Sequence, residues 1–521
     1  MESIVETKTD DFSLPIAKKK ADGYGDINVF NVISFGAIGD GTTDDSKGFK
    51  QAWDFACNSS AASSPTVLVP QGKTFLLQPL TFDGKSCSTS NYITFQIDGK
   101  IIAPSNPSAW ECKPNCDHWI SFRNCDGLLI QGSGTINGQG SKWWRISCKN
   151  KKKGFVIADS NNVEMRGIRF EDSPKMHISF ERSTVVHANN LTIKAPSNSP
   201  NTDGIHIQHS TNVSIHNSLI QTGSVQLFLS WSFSISLCIY IIIDFSITSG
   251  DDCVSIGNGA KYINITNIKC GPGHGISIGS LGINGKTEQV EYVHVRNVSF
   301  HGTTNGVRIK TWQGGHGHAR NITFKHITSH ASTHPIVIDQ YYCPHKHCKN
   351  QTSAVEISNV RYEDIKGTSG RRIAVQLSCS ESTPCTNIIM KDISLRNKDQ
   401  NDDTSSTCFN AHGFTNSRVE PNVPCLQNMI ISSLRTQVFI SRIIHEPLGI
   451  LDLSFGHPRD SLECQFDSSK TVCAELSKLL LGSRGVIVRT LDDNRVFHRW
   501  VWLVVGSETE AFEDVHGGSV E

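Results

Sequence analysis

The chain has 521 residues, of which 37% are hydrophobic and only 19% are charged, so a wholly disordered chain is excluded. The 49 basic and 49 acidic side chains balance, which argues against a nucleic-acid partner bound through a broad basic surface. The 42 glycines, together with many Asn, Ser and Thr residues, favour a turn-rich β protein over a helical one.

The amino terminus and the cysteine content indicate different compartments. Residues 1–25 have no apolar core segment and therefore do not form a signal peptide. Seventeen cysteines are nevertheless many for a cytosolic chain. Asn-x-Ser/Thr sites, which are typical of the secretory pathway, occur at Asn58, Asn190, Asn212, Asn264, Asn297, Asn321 and Asn350. We therefore expect a secreted, extracellular or cell-wall protein whose first exon is missing from this sequence, with a cytosolic protein as the alternative.

Several cysteines are spaced as candidate disulfide partners, although spacing alone does not fix the connectivity. The short pairs are Cys112/Cys116, Cys343/Cys348 and Cys379/Cys385, and the longer pairs are Cys57/Cys87, Cys253/Cys270 and Cys408/Cys425. The segment Cys343–Cys348 also contains two histidines, so a zinc site is an alternative there. Its ligands are crowded for one tetrahedral ion, and we favour a disulfide.

Internal repeats dominate the middle of the chain. An eight-residue pattern with apolar residues at its first, third and sixth positions begins at Val163, Val186, Val213, Ile263, Val293, Ile322, Val355 and Ile388. This alternation is typical of short half-buried strands. Most starts are 23 to 33 residues apart, which suits one coil of a parallel β-helix. Stacked coils bury together the apolar face that no coil buries alone.

A second set of strands runs alongside the first. It comprises GIHIQ from Gly204, CVSIG from Cys253, GISIG from Gly275, GVRIK from Gly306, PIVID from Pro335 and IAVQL from Ile373. Equivalent residues on neighbouring coils should lie about 4.8 Å apart. We therefore predict an all-β fold, a right-handed parallel β-helix built as a single solenoid. A β-propeller is the alternative, but its blades need about four strands in 40–50 residues.

One step between repeats is anomalous. Val213 and Ile263 are 50 residues apart, and the interval contains an apolar stretch, Val225–Ile247, with a single charged residue. Removing residues 224–250 restores a step of 23 residues. We interpret 224–250 as a foreign insertion, such as a translated intron. A natural surface loop and a membrane-spanning segment are the alternatives.

The sequence thus predicts three parts. Residues 1–25 form an N-terminal segment. Residues 26–428 form the β-helix domain, which contains the insertion and the candidate catalytic residues. Residues 429–521 lose the repeat and form a C-terminal tail to which no fold is assigned. The sequence contains no P-loop, no GxSxG motif and no dinucleotide-binding fingerprint.

Polar residues precede or lie within four consecutive strands of the second set. They are Asn201, Asp203, Asp251, Asp252, His274, Arg308 and Lys310. Each motif alone is typical of a solvated turn or of a charged outer strand face. The two cations are two residues apart on one strand, so both side chains face the same side. Stacking of the coils then brings three carboxylates, one imidazole and two cations into one patch.

This combination suits one kind of chemistry in particular. Three carboxylates held within two coils repel one another, so at least one should stay protonated more readily than usual. Glycoside hydrolysis requires a protonated carboxyl beside an ionised one, because the acid protonates the leaving oxygen and the base activates water. Nearby Arg and Lys side chains suit a substrate that itself carries carboxylates.

The segments that carry these residues resemble a known family. NSPNTDGIHIQ, GDDCVSIGNG, CGPGHGISIGSLG and GVRIKTWQG resemble the four signature blocks of the polygalacturonases, which are pectin-degrading glycoside hydrolases. FNVISFGAIGDGTTDDSKGF looks like the start of the mature domain of the plant members. The resemblance covers Val29 to Cys425. It implies a right-handed parallel β-helix of the pectin-lyase type and hydrolysis of α-1,4-galacturonosyl bonds with inversion, in cell-wall modification.

The resemblance also implies roles for individual residues. Asp251 would be the general acid, and His274 would support its protonation. Asp203 and Asp252 would position and activate the attacking water. The substrate would be bound by Asn201, by Arg308 and Lys310 at the galacturonate carboxylate, and by Tyr341 or Tyr342 along the subsites.

The resemblance implies neither a metal nor a cofactor. It implies polygalacturonate or pectin as the partner, without nucleic acid or a membrane, and we expect a monomer. Two other functions remain as alternatives, a pectin-binding pseudoenzyme impaired by the insertion and a calcium-dependent pectate lyase. Endo and exo cleavage, methyl-esterified substrates and a rhamnogalacturonan backbone are all compatible with these motifs.

Overall fold

The computed structural model describes residues 28–59, 64–85, 87, 93–111, 116–146, 152–224, 250–344, 348, 350–399, 403–428, 462–466, 486–492 and 495–501. The predicted N-terminal segment, residues 1–25, lies outside these ranges. Residues 225–249, which make up almost all of the interpreted insertion, and most of the predicted tail 429–521 also lie outside them. The chain divides into two compact units, Met1–Leu426 and Gln427–Glu521.

The described residues form many strands and one α-helix, which lies near the amino-terminal end of the sequence. The first are β1 (Val29–Asn31), β2 (Asp40–Asp44), α1 (Ser46–Asn58), β3 (Thr66–Val69), β4 (Thr74–Leu76), β5 (Leu80–Asp83), β6 (Ile93–Ile97), β7 (Lys100–Ile102), β8 (His118–Arg123), β9 (Asp126–Gln131), β10 (Thr135–Asn137), β11 (Lys153–Ala158), β12 (Asn161–Arg166), β13 (Arg169–Glu171), β14 (Ile178–Glu181), β15 (Thr184–Asn189) and β16 (Thr192–Pro196). Short 3-10 helices span Val32–Phe35, Pro107–Ala109, Gly140–Arg145 and Ile283–Gly285.

The strands that carry the site and the carboxyl-terminal coils come next. They are β17 (Ile205–Gln208), β18 (Thr211–Ser224), β19 (Val254–Ile256), β20 (Ala260–Cys270), β21 (Ile276–Leu281), β22 (Thr287–His301), β23 (Asn305–Thr311), β24 (His316–Ser332), β25 (His334–Asp339), β26 (Glu356–Ser369), β27 (Ile373–Ser378), β28 (Cys385–Asn397), β29 (Ser405–Phe409), β30 (Ala411–Glu420), β31 (Gln427–Asn428), β32 (Leu462–Phe466), β33 (Val486–Asp492) and β34 (Arg495–Val501).

Helix α1 belongs to the amino-terminal end of the first unit, where aromatic side chains fill the core. Phe49 and Trp53 on its inner face are fully buried. Phe49 meets the ring of Phe75 edge-on at 5.3 Å, and Trp53 lies 5.4 Å from Phe82. A helix packed on the first coils covers apolar surface and strand edges that would otherwise recruit other chains.

Among the described residues, the two predicted sets of strands form a 20-stranded sheet and an 11-stranded sheet, and the strands pair in parallel. The starts of the eight-residue pattern stack in register from Val163 through Val186 and onward to Ile322. The prediction was wrong at Val355, because Ile322 pairs with Val360 instead. Both positions begin an apolar alternation, and only the stacking onto the previous coil distinguishes them.

Asparagine occupies the bend inside several repeats. Asn190, Asn217, Asn267 and Asn297, the fifth residues of their patterns, have φ between 52° and 57°. Asparagine tolerates this left-handed conformation better than other residues with a Cβ. The bend lets apolar side chains on both sides of it point into the coil, which explains why this β protein is rich in asparagine.

Disulfides join five of the six cysteine pairs that spacing indicated. The bonded pairs are Cys57–Cys87, Cys253–Cys270, Cys343–Cys348, Cys379–Cys385 and Cys408–Cys425. Cys343 and Cys348 form a disulfide, so their sulfurs are not zinc ligands as the alternative prediction required. In the sixth pair Cys116 is disulfide-bonded, whereas Cys112 lies outside the described residues. Cys125 is a buried free thiol, and burial raises its pKa to about 12.

The second unit contains the small sheet of β32, β33 and β34. Strand β33 pairs in parallel with β32 and antiparallel with β34. The apolar sequence around Trp500, for which the sequence indicated no fold, therefore lies in a strand of this unit. In the described part of the chain, no helix has the length and apolar character needed to cross a bilayer.

Candidate active site

Neighbouring strands of the 11-stranded sheet bring the predicted site residues together. Strands β17, β19, β21 and β23 are consecutive in this sheet and pair in parallel. Three carboxylates and the imidazole lie in the turns that enter these strands, and the two cations lie on β23 itself. Residues up to 58 positions apart in the sequence are therefore in contact across the coils.

Asp252 is the most strongly bound of the three carboxylates. It is 1% exposed, and it accepts hydrogen bonds from Arg308 Nη2 at 3.0 Å, Lys310 Nζ at 2.9 Å and Ser277 Oγ at 2.7 Å. Burial alone would raise its pKa. The charges of Lys310, Arg308 and His274, together with the Ser277 hydrogen bond, outweigh burial and hold the pKa of Asp252 well below its usual range. Asp252 is therefore ionised.

Asp203 has the opposite electrostatic environment. It is buried, and its carboxylate accepts a hydrogen bond from Ser255 Oγ, which lies 2.6 Å from Oδ2. Burial, and then repulsion by Asp251 and Asp252, raise the pKa of Asp203 well above its usual range. The Ser255 hydrogen bond and Lys310 offset this only in part.

Asp251 is held by main-chain donors at the entry to the same turn. Its Oδ2 accepts the backbone N–H of Asn201 at 2.9 Å, and its Oδ1 accepts the backbone N–H of Asp252 at 2.8 Å. His274 Nδ1 lies 3.3 Å from Oδ1. Asn201 adopts φ 64°, and this left-handed bend lies directly beside the carboxylate that its N–H reaches. The arrangement fixes the orientation of the Asp251 side chain.

Of the two adjacent tyrosines that were predicted to line the subsites, Tyr342 lies beside a cation of the site. The Tyr342 ring lies 5.4 Å from Lys310 Nζ, and it meets the Trp312 ring edge-on at 5.4 Å. Tyr341 is 37% exposed, and its backbone N–H donates to Asp339 Oδ1 at 3.0 Å. The structure thus places Tyr342 against the cationic side of the site.

Sequence reasoning missed the two serines that contact the carboxylates. Ser255 and Ser277 follow the apolar residues Val254 and Ile276, so their side chains lie on the opposite face of their strands, where both serines are also buried. The period of two in these strands was a signal that could have identified them. Asp339 was also missed. Burial raises its pKa despite a hydrogen bond from Tyr341 and the charges of Arg308 and Lys310.

The chain leaves and re-enters the coil at one place around the interpreted insertion. A Cβ built on Gly223 would lie 3.3 Å from the backbone nitrogen of Gly250. The backbone N–H of Asp251 donates to the Thr222 carbonyl at 3.2 Å. Gly223 and Gly250, which flank segment 225–249, therefore lie side by side, directly before Asp251.

The chain matches the model of the glycosyl hydrolases family 28 over residues 57–225 and 231–419. It is 40% identical over 425 residues to a polygalacturonase of Persea americana, a match that covers 80% of this chain and 81% of the relative. It is 38% identical over 417 residues to polygalacturonase-2 of Solanum lycopersicum, covering 78% and 83%.

Two solved structures share the fold. The polygalacturonase from Erwinia carotovora ssp. carotovora has a TM-score of 0.55 and 22% identity, covering 78% of this chain and 100% of that one. The endo-xylogalacturonan hydrolase from Aspergillus tubingensis has a TM-score of 0.59 and 23% identity, covering 77% and 97%. The predicted right-handed parallel β-helix is confirmed by this likeness and by the observed parallel sheets.

Proposed function

The chain belongs to the glycosyl hydrolases family 28, and from that premise we propose that it is a polygalacturonase, which hydrolyses α-1,4-galacturonosyl bonds of pectin with inversion. The observation that carries the proposal is the contrast between two buried carboxyls in one site. Asp252 is ionised between two cations, whereas the pKa of Asp203 is raised. General acid–base hydrolysis of a glycosidic bond needs both states side by side.

The acid role belongs to Asp251 in this proposal, as the resemblance implies. Burial and repulsion by Asp251 and Asp252 raise the pKa of Asp203, so Asp203 keeps its proton at a pH where Asp252 has already lost its own. Asp251, oriented by Asn201 and His274, donates the proton to the leaving oxygen. Asp203 and Asp252 then orient the attacking water, and the ionised Asp252 accepts its proton.

The cations next to the carboxylates support a substrate that is itself anionic. Arg308 and Lys310 are largely buried, with side chains 15% and 9% exposed. A galacturonate carboxylate entering the site gains charge-assisted hydrogen bonds from them. Their contacts with Asp252 also oppose a bound metal cation, which argues against the calcium-dependent lyase. Tyr342, stacked over Lys310, forms one wall of the same subsite.

Lys310→Ala should raise KM for polygalacturonate by roughly 10- to 100-fold, because a hydrogen bond to a charged group contributes about 1.5–3 kcal/mol. Arg308→Lys should also impair binding, since a lysine lacks the planar fork of the guanidinium. The measurement is KM on polygalacturonate and on highly methyl-esterified pectin. Lys261→Ala is the control, because Lys261 is a cation outside the site that pairs with Glu291. Equal effects on both substrates would contradict the carboxylate-binding role.

Deleting residues 224–250, which joins Gly223 to Asp251, should raise both soluble yield and hydrolytic activity. The removed stretch is mostly apolar, and exposed apolar surface promotes aggregation. A short entry into the turn also fixes Asp251 more closely, and a misplacement of about 1 Å can cost roughly 10²-fold in rate. Both forms, produced with an added signal peptide, are compared by yield and by release of reducing ends. Equal yield and equal activity would identify the segment as a natural loop.

The proposal is tested by incubating the purified full chain with polygalacturonate. A hydrolase releases reducing ends without an ultraviolet-absorbing product. A lyase forms an unsaturated product that absorbs, and a pseudoenzyme binds the polymer without releasing ends. Proton magnetic resonance of the first product decides whether the anomeric configuration inverts. Release of ends with retention, or absorbance that rises with cleavage, would overturn the proposed reaction.

We also propose that the protein acts as a monomer in the cell wall after secretion. The five disulfides that join described cysteines support an oxidising compartment. The asparagines of all seven Asn-x-Ser/Thr sites have side chains that are exposed or half-buried, as glycan attachment requires.

A further inference from the structure

Two serines occupy matching positions on neighbouring coils, and each contacts one carboxylate of the site. Ser255 of β19 pairs in register with Ser277 of β21. Ser255 Oγ lies 2.6 Å from Asp203 Oδ2, and Ser277 Oγ lies 2.7 Å from Asp252 Oδ1. The partner on the other neighbouring strand differs between the two serines. Ser255 pairs with His206 of β17, and Ser277 pairs with Arg308 of β23.

The direction of the Ser277 hydrogen bond is fixed by Arg308. Arg308 Nε lies 3.0 Å from Ser277 Oγ, and a guanidinium nitrogen donates but never accepts. The single hydroxyl hydrogen of Ser277 must therefore point to Asp252. A donor that cannot reverse favours the ionised carboxylate, because a charged oxygen accepts the stronger hydrogen bond.

The direction of the Ser255 hydrogen bond is free to reverse. His206 Nδ1 lies 2.8 Å from Ser255 Oγ, and a nitrogen of a neutral imidazole donates or accepts according to the tautomer. Burial lowers the pKa of His206, although Gln208 and Glu181 oppose the shift, so the ring is neutral. When Asp203 is protonated, its O–H donates to Ser255, and Ser255 donates to Nδ1. The ring then carries its hydrogen on Nε2, which lies 3.4 Å from Gln208 Oε1.

We propose that the two serines, each with its outer neighbour, are positioning residues that set opposite protonation states: Ser255 with His206 lets Asp203 hold a proton, and Ser277 with Arg308 keeps Asp252 ionised. The inference rests on the proposed hydrolysis, which it deepens by naming the groups that hold the two water-positioning carboxyls, Asp203 and Asp252, in opposite protonation states. Neither serine nor His206 reacts with substrate in this account.

Other charged groups near this chain of hydrogen bonds leave its direction unchanged. Asp203 faces Asp251, Asp252 and Lys310, and His177 contacts only its main-chain carbonyl, at 3.1 Å through Nδ1. His206 faces Glu181 from β14, with Lys153 and Lys175 on the same side. These charges shift the pKa values of the two groups, but none of them takes the hydrogen of Ser255.

Two variants should therefore shift the pH profile of kcat/KM in opposite directions, and a third should leave it unchanged. We assign the alkaline limb to loss of the proton of Asp203, whose pKa is raised by burial and by the neighbouring carboxylates Asp251 and Asp252. His206→Phe removes the acceptor that the protonated state needs and should move this limb to lower pH. Ser255→Ala removes the donor that the ionised state needs and should move it to higher pH. Ser277→Ala, the matched control, should leave it in place.

Each shift should be roughly half to one pH unit, since a neutral hydrogen bond contributes about 0.5–1.5 kcal/mol and one pKa unit equals about 1.4 kcal/mol. A merely structural role of the mutated residues would lower the rate without moving the limb in opposite directions. The inference would be overturned if the alkaline limb of kcat/KM did not move in His206→Phe and Ser255→Ala, or if it moved in the same direction in both variants.

A second measurement does not depend on turnover. Infrared pH titration of the full chain follows the C=O band of the protonated carboxyl, which Asp203→Asn identifies by its loss. The band should titrate at lower pH in His206→Phe and at higher pH in Ser255→Ala. If the wild type releases no reducing ends but the band shifts as expected, the proposed function fails and the assignment of the serines stands. If the wild type is active and the band does not shift, only this inference fails.

Discussion

Asp251→Asn should lower kcat on polygalacturonate by about 10²- to 10⁴-fold, which is the usual contribution of a general acid. The amide keeps the size of the side chain but has no proton to donate at the pH of the reaction. It also keeps one oxygen to accept the N–H of Asn201 or of Asp252, which bind the carboxylate at 2.9 and 2.8 Å. The fold should therefore persist, and the loss should appear in kcat more than in KM.

The measurement is steady-state release of reducing ends, in the full chain and in the form without residues 224–250. Asp126→Asn is the matched control, because Asp126 is an exposed aspartate on β9 that contacts only Asn161 and Asn162 among the described residues. Its activity should equal that of the wild type. Asp251→Asn with more than half of the wild-type kcat would remove Asp251 from the acid role.

Asp252→Asn should lower kcat by a factor similar to that of Asp251→Asn, and it should also destabilise the protein. Removing one member of a buried ion pair costs about 3–5 kcal/mol, because the remaining charge stays buried without compensation. Here two cations, Arg308 and Lys310, would lose the same partner. The denaturant midpoint of the first unit should fall markedly. Glu420→Gln, which removes an exposed carboxylate paired with Arg418, should leave the midpoint in place.

The pH dependence of this stability difference has a definite sign. The pKa of Asp252 is depressed in the folded protein, so its contribution to stability is complete above its unfolded pKa of about 3.9. It is lost as the pH falls below that value toward the folded pKa. The difference between wild type and Asp252→Asn should therefore be constant near neutral pH and shrink on acidification below about pH 4. A difference that grows on acidification would contradict the ionised state of Asp252.

Much of the solenoid is readable from local patterns because burial in a coil imposes a short period on the sequence. Apolar residues must alternate along each strand, and the bend between strands favours asparagine. The register of Val163, Val186 and Val213 followed from these rules and is confirmed. The prediction at Val355 was wrong, because apolar residues alternate both from Val355 and from Val360, and both readings satisfy the local rule. The partner coil selects Val360, which places Tyr362 opposite Phe324 in the core.

The candidate site was predictable in its membership and less so in its contacts. Asp203, Asp251 and Asp252 were identified because charged residues before consecutive strands must converge when the coils stack. Tyr341 and Tyr342 are equivalent by sequence, and the turn after β25 decides that Tyr342 reaches Lys310. Composition does not distinguish Ser255 and Ser277 from the many other serines of the chain, and their distances to the carboxylates assign them a role.

The sequence by itself determined the repeating strands and which residue types meet in the site, because each follows from a short-range pattern or a fixed step between coils. It indicated candidate cysteine pairs without fixing their connectivity. The tertiary structure alone decided which carboxyl is ionised and which is driven toward the protonated state. Asp203 and Asp252 are both buried aspartates at strand entries, and nothing in their local sequence separates them. Two cations and a hydroxyl surround Asp252, whereas Asp203 has one hydroxyl and two like charges. A pKa depends on burial and on charges across neighbouring coils, which only the folded chain brings within reach.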